Sequence, residues 1–208
     1  MGVLKSLTDE YFGKNIREED KIDISELNVE IVSFTDNNGN YHGHGYRVKE
    51  RWPNNEPLTS YEKAEELSNL IKTIIKVRGN ECSLNDIDVS NIHSMCFYSS
   101  KFSDDVGVFY NLDFDGDISG WDMSNVRYTN YMFLESNFTG KNGIFKITKD
   151  CYIVEAIGMF FFSEFNTNID DWEINEDCNM EKMFEYTPLK INNKLPDWYH
   201  INTKKERS

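Results

Sequence analysis

The sequence predicts an α+β protein with a small N-terminal cap, made of a hairpin and a helix, followed by a short solenoid of repeated coils. Three observations predict this class: an alternating segment interrupted by a turn, a helix with strong end signals, and a pattern of eight residues that recurs four times. We place the cap at residues 1–80 and the repeats at residues 81–208.

The cap contains the hairpin and the helix. Residues 27–48 alternate apolar and polar on both sides of 36–40, whose Asn-Gly pair suits a tight turn, so a β-hairpin is predicted. Thr59 and Glu62 have the spacing of a capping box, and apolar residues then recur at helical intervals. Gly79 is placed to end this helix in the left-handed conformation.

The repeats share an apolar pair and an apolar residue five positions later. They read MCFYSSKF, YMFLESNF, GMFFFSEF and KMFEYTPL, and they occupy 95–102, 131–138, 158–165 and 182–189. Successive copies lie 36, 27 and 24 residues apart, and removing a 12-residue insertion near 103–114 shortens the first interval to 24. A period in the twenties is typical of leucine-rich-repeat-like solenoids, in which a parallel strand ladder forms along one face.

Stacking of such coils places like residues in columns, because one coil cannot bury its own apolar residues. The second landmark of each coil is a tryptophan in the same register. The predicted repeat core consists of Phe97, Ile118, Trp121, Met132, Phe133, Phe138, Met159, Phe160, Phe165, Ile169, Trp172, Met183, Phe184, Leu195 and Trp198.

These units resemble the BspA-like leucine-rich repeat family, which is also described by a domain of unknown function in mycoplasma surface proteins. FDGDISGWDMSNVRYTNYMF (114–133) is similar to a full family unit, and LNDIDVSNIHSM (84–95) is similar to an opening coil. The resemblance extends over roughly 60–208, with Thr148 where a tryptophan is expected. It implies binding through a solenoid surface and no catalytic chemistry, and the short chain is similar to versions encoded by phages and mobile elements.

The charge of the chain argues against a general nucleic-acid binder. Its 36 acidic and 22 basic residues give a net charge of −14, whereas phosphate contacts need clustered lysine and arginine. No apolar run is long enough to span a bilayer, and the first residues lack a secretory signal. We therefore expect a cytoplasmic protein, in the host cytoplasm if a phage encodes it.

One short segment has the spacing of a calcium loop. Asp113, Asp115 and Asp117 alternate as ligands would, but the sixth and twelfth positions hold Ile118 and Ser124 instead of glycine and glutamate. The segment is therefore interpreted as part of a repeat, although its cluster of oxygen atoms leaves weak calcium binding open.

No catalytic or zinc motif is present, and we predict neither a cofactor nor an enzyme. The chain has no nucleophile elbow and no phosphate loop. His42 and His44 share one face of a predicted strand without a third ligand, so we expect them to face solvent. The dispersed cysteines are expected to be reduced thiols; they are Cys82, Cys96, Cys151 and Cys178.

The insertion carries the predicted partner site, at Asp104, Asp105, Phe109 and Tyr110. Two aromatic rings beside two acids suit a basic or apolar partner, and the alternative is a loop that covers the joint between cap and repeats. We predict a non-catalytic protein–protein interaction module. In its sharper form, a phage or mobile-element protein inhibits a host defence or nucleic-acid-handling protein. Alternatives are a decoration or adhesion component and a cryptic enzyme.

Overall fold

The computed structural model describes residues 22–35 and 41–199. These residues form small sheets and few helices, which confirms the α+β part of the predicted fold class. The elements in chain order are β1 (Val29–Thr35), β2 (Tyr41–Val48), α1 (Ser60–Arg78), β3 (Ile87–Asp88), β4 (Cys96–Ser99), β5 (Asp104–Gly107) and α2 (Pro188–Ile191).

The first sheet joins the N-terminal hairpin to the start of the repeats. β1 pairs antiparallel with β2, which confirms the two predicted strands, while the predicted turn at 36–40 lies outside the described residues. β2 then pairs in parallel with β3, Tyr46 lying opposite Ile87, so the strand order is β1-β2-β3. Because β3 belongs to the first repeat, cap and repeats share one sheet.

Helix α1 begins at the predicted capping box. The Thr59 hydroxyl accepts a hydrogen bond from the Glu62 N–H at 3.2 Å, and the Glu62 carboxylate accepts one from the Thr59 N–H at 2.8 Å. Gly79 ends the helix at φ 90° and ψ 168°, so the predicted left-handed conformation is wrong although φ is positive. Gly79 thus leaves the helix with an extended ψ and a positive φ, a combination of backbone angles that glycine alone adopts readily.

After the helix, successive segments of the chain lie side by side in parallel. Single-residue bridges link Ser94 to Tyr128, Tyr128 to Glu155, and Glu155 to Asn179, which are 34, 27 and 24 residues apart. We call this row of bridging residues the bridge column. Within the described part of the chain, the parallel contacts between these coils are isolated bridges, not continuous strands.

Backbone hydrogen bonds between coils follow a regular pattern. Every second N–H of one coil donates to a carbonyl of the next, as from Phe133 to Met159 at 2.8 Å and from Phe160 to Met183 at 2.9 Å. The backbone bends sharply within each coil, because residues with positive φ recur at equivalent positions of successive coils. These residues are Tyr131 and Glu135, Gly158 and Phe162, and Lys182 and Tyr186. These bends explain why regular strands do not form there.

Two columns of phenylalanine rings run through the centre of the repeats, and we call them together the phenylalanine ladder. Neighbouring rings of the first column lie 4.9 to 5.6 Å apart, and those of the second lie 6.0 to 6.3 Å apart. Within each coil the two rings are 4.0 to 5.0 Å apart. All are fully buried; the columns are Phe109, Phe133, Phe160, Phe184 and Phe114, Phe138, Phe165.

The ladder corrects the predicted register of the first coil. Phe109 and Phe114 occupy the positions predicted for Phe97 and Phe102, and the Phe109 N–H donates to the Met132 carbonyl like its counterparts in later coils. Phe102 is 47% exposed. Both phenylalanine pairs are separated by five residues, so spacing alone could not distinguish them.

The insertion therefore comprises residues 96–107 and not 103–114. It folds as an antiparallel hairpin of β4 and β5, and the Val108 N–H closes it by donating to the Met95 carbonyl at 3.0 Å. Phe97 is buried in this hairpin, outside the phenylalanine ladder. A Cβ added at Gly107 would clash with the backbone of Tyr131 and Met132, so glycine lets the chain enter the first coil.

The fifteen predicted core residues all belong to one hydrophobic cluster or pack against it, with Leu195 and Trp198 only partly buried. The Trp121 and Trp198 indole N–H groups donate to the carbonyls of Leu84 and Ile169 at 2.9 and 3.0 Å. In the third coil, where Thr148 replaces the expected tryptophan, Phe145 stacks on Trp172 at 5.4 Å. An aromatic ring is thus retained in that coil.

The corrected register predicts a large difference between two substitutions. Phe114→Ala removes a fully buried ring and should lower the free energy of unfolding by about 3–5 kcal/mol, whereas Phe102→Ala should cost less than about 1 kcal/mol. Urea denaturation of both variants measures this. Equal costs would contradict the register.

Gly107→Ala should also destabilise the protein strongly, by more than about 2 kcal/mol, because the methyl group meets backbone atoms that cannot move aside. Gly120→Ala is the matched control, since its methyl group would meet only the Asn85 side chain at 3.1 Å. Thermal unfolding followed by circular dichroism compares the two variants. A Gly107→Ala protein as stable as the control would show that the hairpin joins the coil differently.

Candidate interaction surface

The β4–β5 hairpin lies against helix α1, at the joint between the cap and the first coil. Beside it, the Ser68 hydroxyl donates to the Val108 carbonyl at 3.1 Å, so the helix is tied to the chain directly after the insertion. This position fits the alternative in which the insertion covers the joint. The hairpin nevertheless leaves several side chains exposed.

The four residues of the predicted partner site differ in how far they are exposed. Asp104 is exposed, Asp105 is partly buried, and Tyr110 is partly buried with its ring 5.1 Å from that of Phe102. Phe109 has no exposed surface, because it is the first ring of the phenylalanine ladder. The predicted contact of Phe109 with a partner is therefore wrong, because the ring is buried in the core.

A cleft of about 440 Å³ opens beside the hairpin. We call it the tyrosine cleft; it is lined by Ser60, Tyr61, Ser94, Cys96, Asp105, Tyr128, Asn130 and Glu155. Three of its residues, Ser94, Tyr128 and Glu155, are consecutive members of the bridge column, so three coils contribute to one wall. The first turn of α1 supplies Tyr61, and β5 supplies Asp105.

The tyrosine cleft is electrostatically negative. Repulsion from the Asp105 carboxylate, together with partial burial, raises the pKa of Tyr61. Burial raises the pKa of Cys96 to about 11, so its thiol is neutral at physiological pH. Glu155 accepts a hydrogen bond from the Asn130 amide at 2.7 Å. No lysine or arginine is among the described residues that line this cleft.

Three aromatic side chains contact each other on the surface between the last two coils, and we call them the aromatic cluster. Phe162 and Tyr186 stack with centroids 4.3 Å apart, and Phe161 meets both edge-on at 4.8 and 5.5 Å. Phe162 is 52% exposed and Tyr186 is 55% exposed. At the matching positions of the two preceding coils stand Asn111 and Glu135, so the backbone there does not require an aromatic residue.

The aspartates of the calcium-like segment hold neighbouring coils together. Asp113 accepts hydrogen bonds from the amides of Asn80 and Asn137, and Asp117 accepts one from Asn85 at 2.7 Å. Asp115 is bound by the next coil, as described below. Across residues 22–35 and 41–199, no three histidine, cysteine or acidic side chains are grouped as metal ligands.

Asp115 is the most strongly held of the three carboxylates. Thr139 donates to it from its N–H at 2.8 Å and from its hydroxyl at 2.7 Å, and the Lys141 ammonium lies at 2.8 Å. Burial alone would raise the pKa of this carboxyl group, but the donors outweigh burial and hold the pKa below its ordinary value.

The remaining predicted features carry no site. The His44 ring lies 3.4 Å from the Ser33 hydroxyl, and the side chain of His42 lies outside the described residues. All four cysteines are free thiols. Tyr61, Tyr128 and Glu155 were not found from the sequence, because they are up to 94 residues apart and only the folded register brings them together.

Coils that repeat in sequence and hydrogen-bond to one another define a repeat protein. Residues 61–198 match the family described as "Mycoplasma protein of unknown function, DUF285", and the chain belongs to that family. BspA-like proteins carry this domain, in agreement with the resemblance noted in the sequence. Neither the curated proteins nor the solved structures contain a significant match. No helix in the described residues is long and apolar enough to cross a membrane.

The bonds to Asp115 predict a pH dependence of stability. Since its folded-state pKa is below the ordinary 3.8, the carboxylate stabilises the fold above that pH and loses this contribution as the pH falls through the folded-state value. Asp115→Asn should therefore be less stable than the wild type at pH 7, and this difference should become smaller as the pH falls below 3.8. Urea titrations between about pH 7 and 3 measure the convergence.

The control for this prediction is Asp150→Asn, which removes an exposed carboxylate. Its stability should parallel that of the wild type at every pH. A constant difference between Asp115→Asn and the wild type down to pH 3 would contradict the assigned role of Asp115.

Proposed function

We propose that the protein is a non-catalytic protein–protein interaction module whose coils form a short leucine-rich-repeat-like solenoid. The observation that carries the proposal is the aromatic cluster, in which Phe162 and Tyr186 are each more than half exposed. Aromatic side chains dominate the energetics of protein interfaces, since they bury a large apolar area at a small cost in conformational entropy.

The aromatic cluster is organised before a partner binds. Phe161, Phe162 and Tyr186 contact each other, and the Phe162 N–H donates to the Glu185 carbonyl at 3.0 Å, which fixes adjacent coils at this point. A preformed surface loses little freedom on binding, so more of its contact energy appears as affinity. The exposed rings are thus suited to serve as anchors.

The solenoid part of the proposal is supported by the bridge column and the phenylalanine ladder. Each coil from Phe109 onward hydrogen-bonds to its neighbours, and equivalent rings stack at each step. Such stacking presents a continuous surface built from several coils. Interaction proteins use surfaces of this kind to contact partners over an extended area.

The proposed partner is a basic protein, because the chain carries a net charge of −14. In the sharper form of the proposal, the chain is a phage or mobile-element product. It would block a host protein that handles nucleic acid, where an acidic surface can occupy a groove made for phosphate.

The test replaces Phe162 and Tyr186 by asparagine. Asparagine is chosen because Asn111 stands at the equivalent position of an earlier coil and also adopts a positive φ, 52°. The control, Tyr98→Asn with Tyr152→Asn, removes two rings that are 58% and 52% exposed outside the aromatic cluster. Tagged proteins are used to capture partners from producer-cell lysate at low and high salt. The partner identified by mass spectrometry is then purified, and its affinity is measured by calorimetry.

We expect the Phe162→Asn/Tyr186→Asn protein to bind the purified partner at least about tenfold more weakly, a loss of about 1.4 kcal/mol, and the control to bind normally. Equal binding by both variants would contradict the role of the aromatic cluster. Recovery of no specific partner would reject the interaction module, and recovery of the protein with purified virions would favour a structural component.

A further inference from the structure

We infer that the tyrosine cleft binds a cationic side chain, the ammonium of lysine or the guanidinium of arginine, presented by a protein partner. The inference rests on the proposed function in supposing a protein partner. The tyrosine cleft and the aromatic cluster nevertheless have no residue in common. The two surfaces can therefore be tested separately.

The walls of the tyrosine cleft offer two aromatic rings. Tyr61, at the start of α1, is 52% exposed, and Tyr128, in the bridge column, is 41% exposed. A cation near the face of such a ring is attracted by the negative charge of the ring face, and more strongly where water is excluded. Neither ring stacks on another aromatic side chain of the described residues.

Two carboxylates face the same space. Asp105 is partly buried, and its carboxylate makes no hydrogen bond or ion pair with any residue in 22–35 and 41–199. Glu155 is also partly buried; among the described residues its carboxylate pairs with no cation and accepts one hydrogen bond, from the Asn130 amide. Partial burial removes water from a carboxylate, and this is unfavourable where no positive charge lies nearby. A cation that enters the cleft would form ion pairs with both carboxylates and so offset that cost.

The lining favours an organic cation over a metal ion. The cleft presents two carboxylates, and no three histidine, cysteine or acidic side chains are placed to hold a metal ion among residues 22–35 and 41–199. Cys96 has only 2% of its surface exposed and keeps its proton, so it does not supply the thiolate that zinc prefers. The volume of about 440 Å³ accommodates a long side chain together with part of its backbone.

The neighbouring charged groups give the same sign of potential. Asp105 and Glu155 are the two carboxylates that act on the Tyr61 hydroxyl. The same two carboxylates, in addition to burial, act on the Cys96 thiol. Lys101 of the hairpin lies with its ammonium 5.1 Å from the centre of the Phe102 ring.

The test titrates the full chain with a penta-lysine peptide whose ends are acetylated and amidated, using penta-glutamine as the neutral control. Binding is measured by calorimetry and by NMR shift changes. Asp105→Asn with Glu155→Gln removes the charge of the cleft. Asp150→Asn with Asp177→Asn removes two exposed carboxylates that do not line the cleft and leaves the same net charge.

We expect penta-lysine to bind the wild type with shift changes centred on Tyr61 and Tyr128. The cleft variant should bind at least about tenfold more weakly, and the control within about twofold of the wild type. Tyr128→Leu should weaken binding severalfold, whereas Tyr152→Leu, which removes a ring that is 52% exposed and does not line the cleft, should leave it unchanged. Penta-arginine should behave in the same way.

Several outcomes would overturn the inference. They are absence of peptide binding, an equal loss in the two charge variants, and shift changes spread over the whole acidic surface. The Phe162→Asn/Tyr186→Asn protein should still bind the peptide. If a natural partner is lost from that protein but retained by the cleft variant, the interaction module stands and the cationic site fails.

Discussion

The phenylalanine ladder is the interaction on which the rest of the structure depends. Each ring contacts its partner within the coil and its equivalents in the adjacent coils, so no coil forms a complete core alone. Stability in such an arrangement comes largely from contacts between neighbours. The ladder also sets the register, because displacing one coil would separate its rings and its backbone hydrogen bonds together.

Polar side chains add further contacts between the coils that the phenylalanine ladder holds together. Asp113, Asp115 and Asp117 accept hydrogen bonds across coil boundaries. The donors to Asp113 and Asp117 are asparagine side-chain amides, and Asp115 also satisfies the backbone N–H of Thr139. A segment that resembles a calcium loop thus serves the contact between coils. The same oxygen atoms that suggest a metal site are explained by amide, hydroxyl and ammonium donors of the fold.

The aromatic cluster and the tyrosine cleft are surface features that the packing of the core does not require. Phe162 and Tyr186 occupy positions that hold Asn111 and Glu135 in the preceding coils. The tyrosine cleft places two carboxylates beside two rings, with no lysine or arginine among the described residues that line it. Both surfaces are built from residues of more than one coil or element.

The sequence by itself determined the repeats, the capped helix and the burial of the apolar residues that recur in the repeats, because these depend on local spacing and on the burial that stacking demands. Only the tertiary structure decided which phenylalanine pair belongs to the first coil, since Phe97 and Phe102 have the same spacing as Phe109 and Phe114. It likewise decided the tyrosine cleft: Tyr61, Asp105 and Glu155 become neighbours through the stacking of coils, which no local pattern encodes.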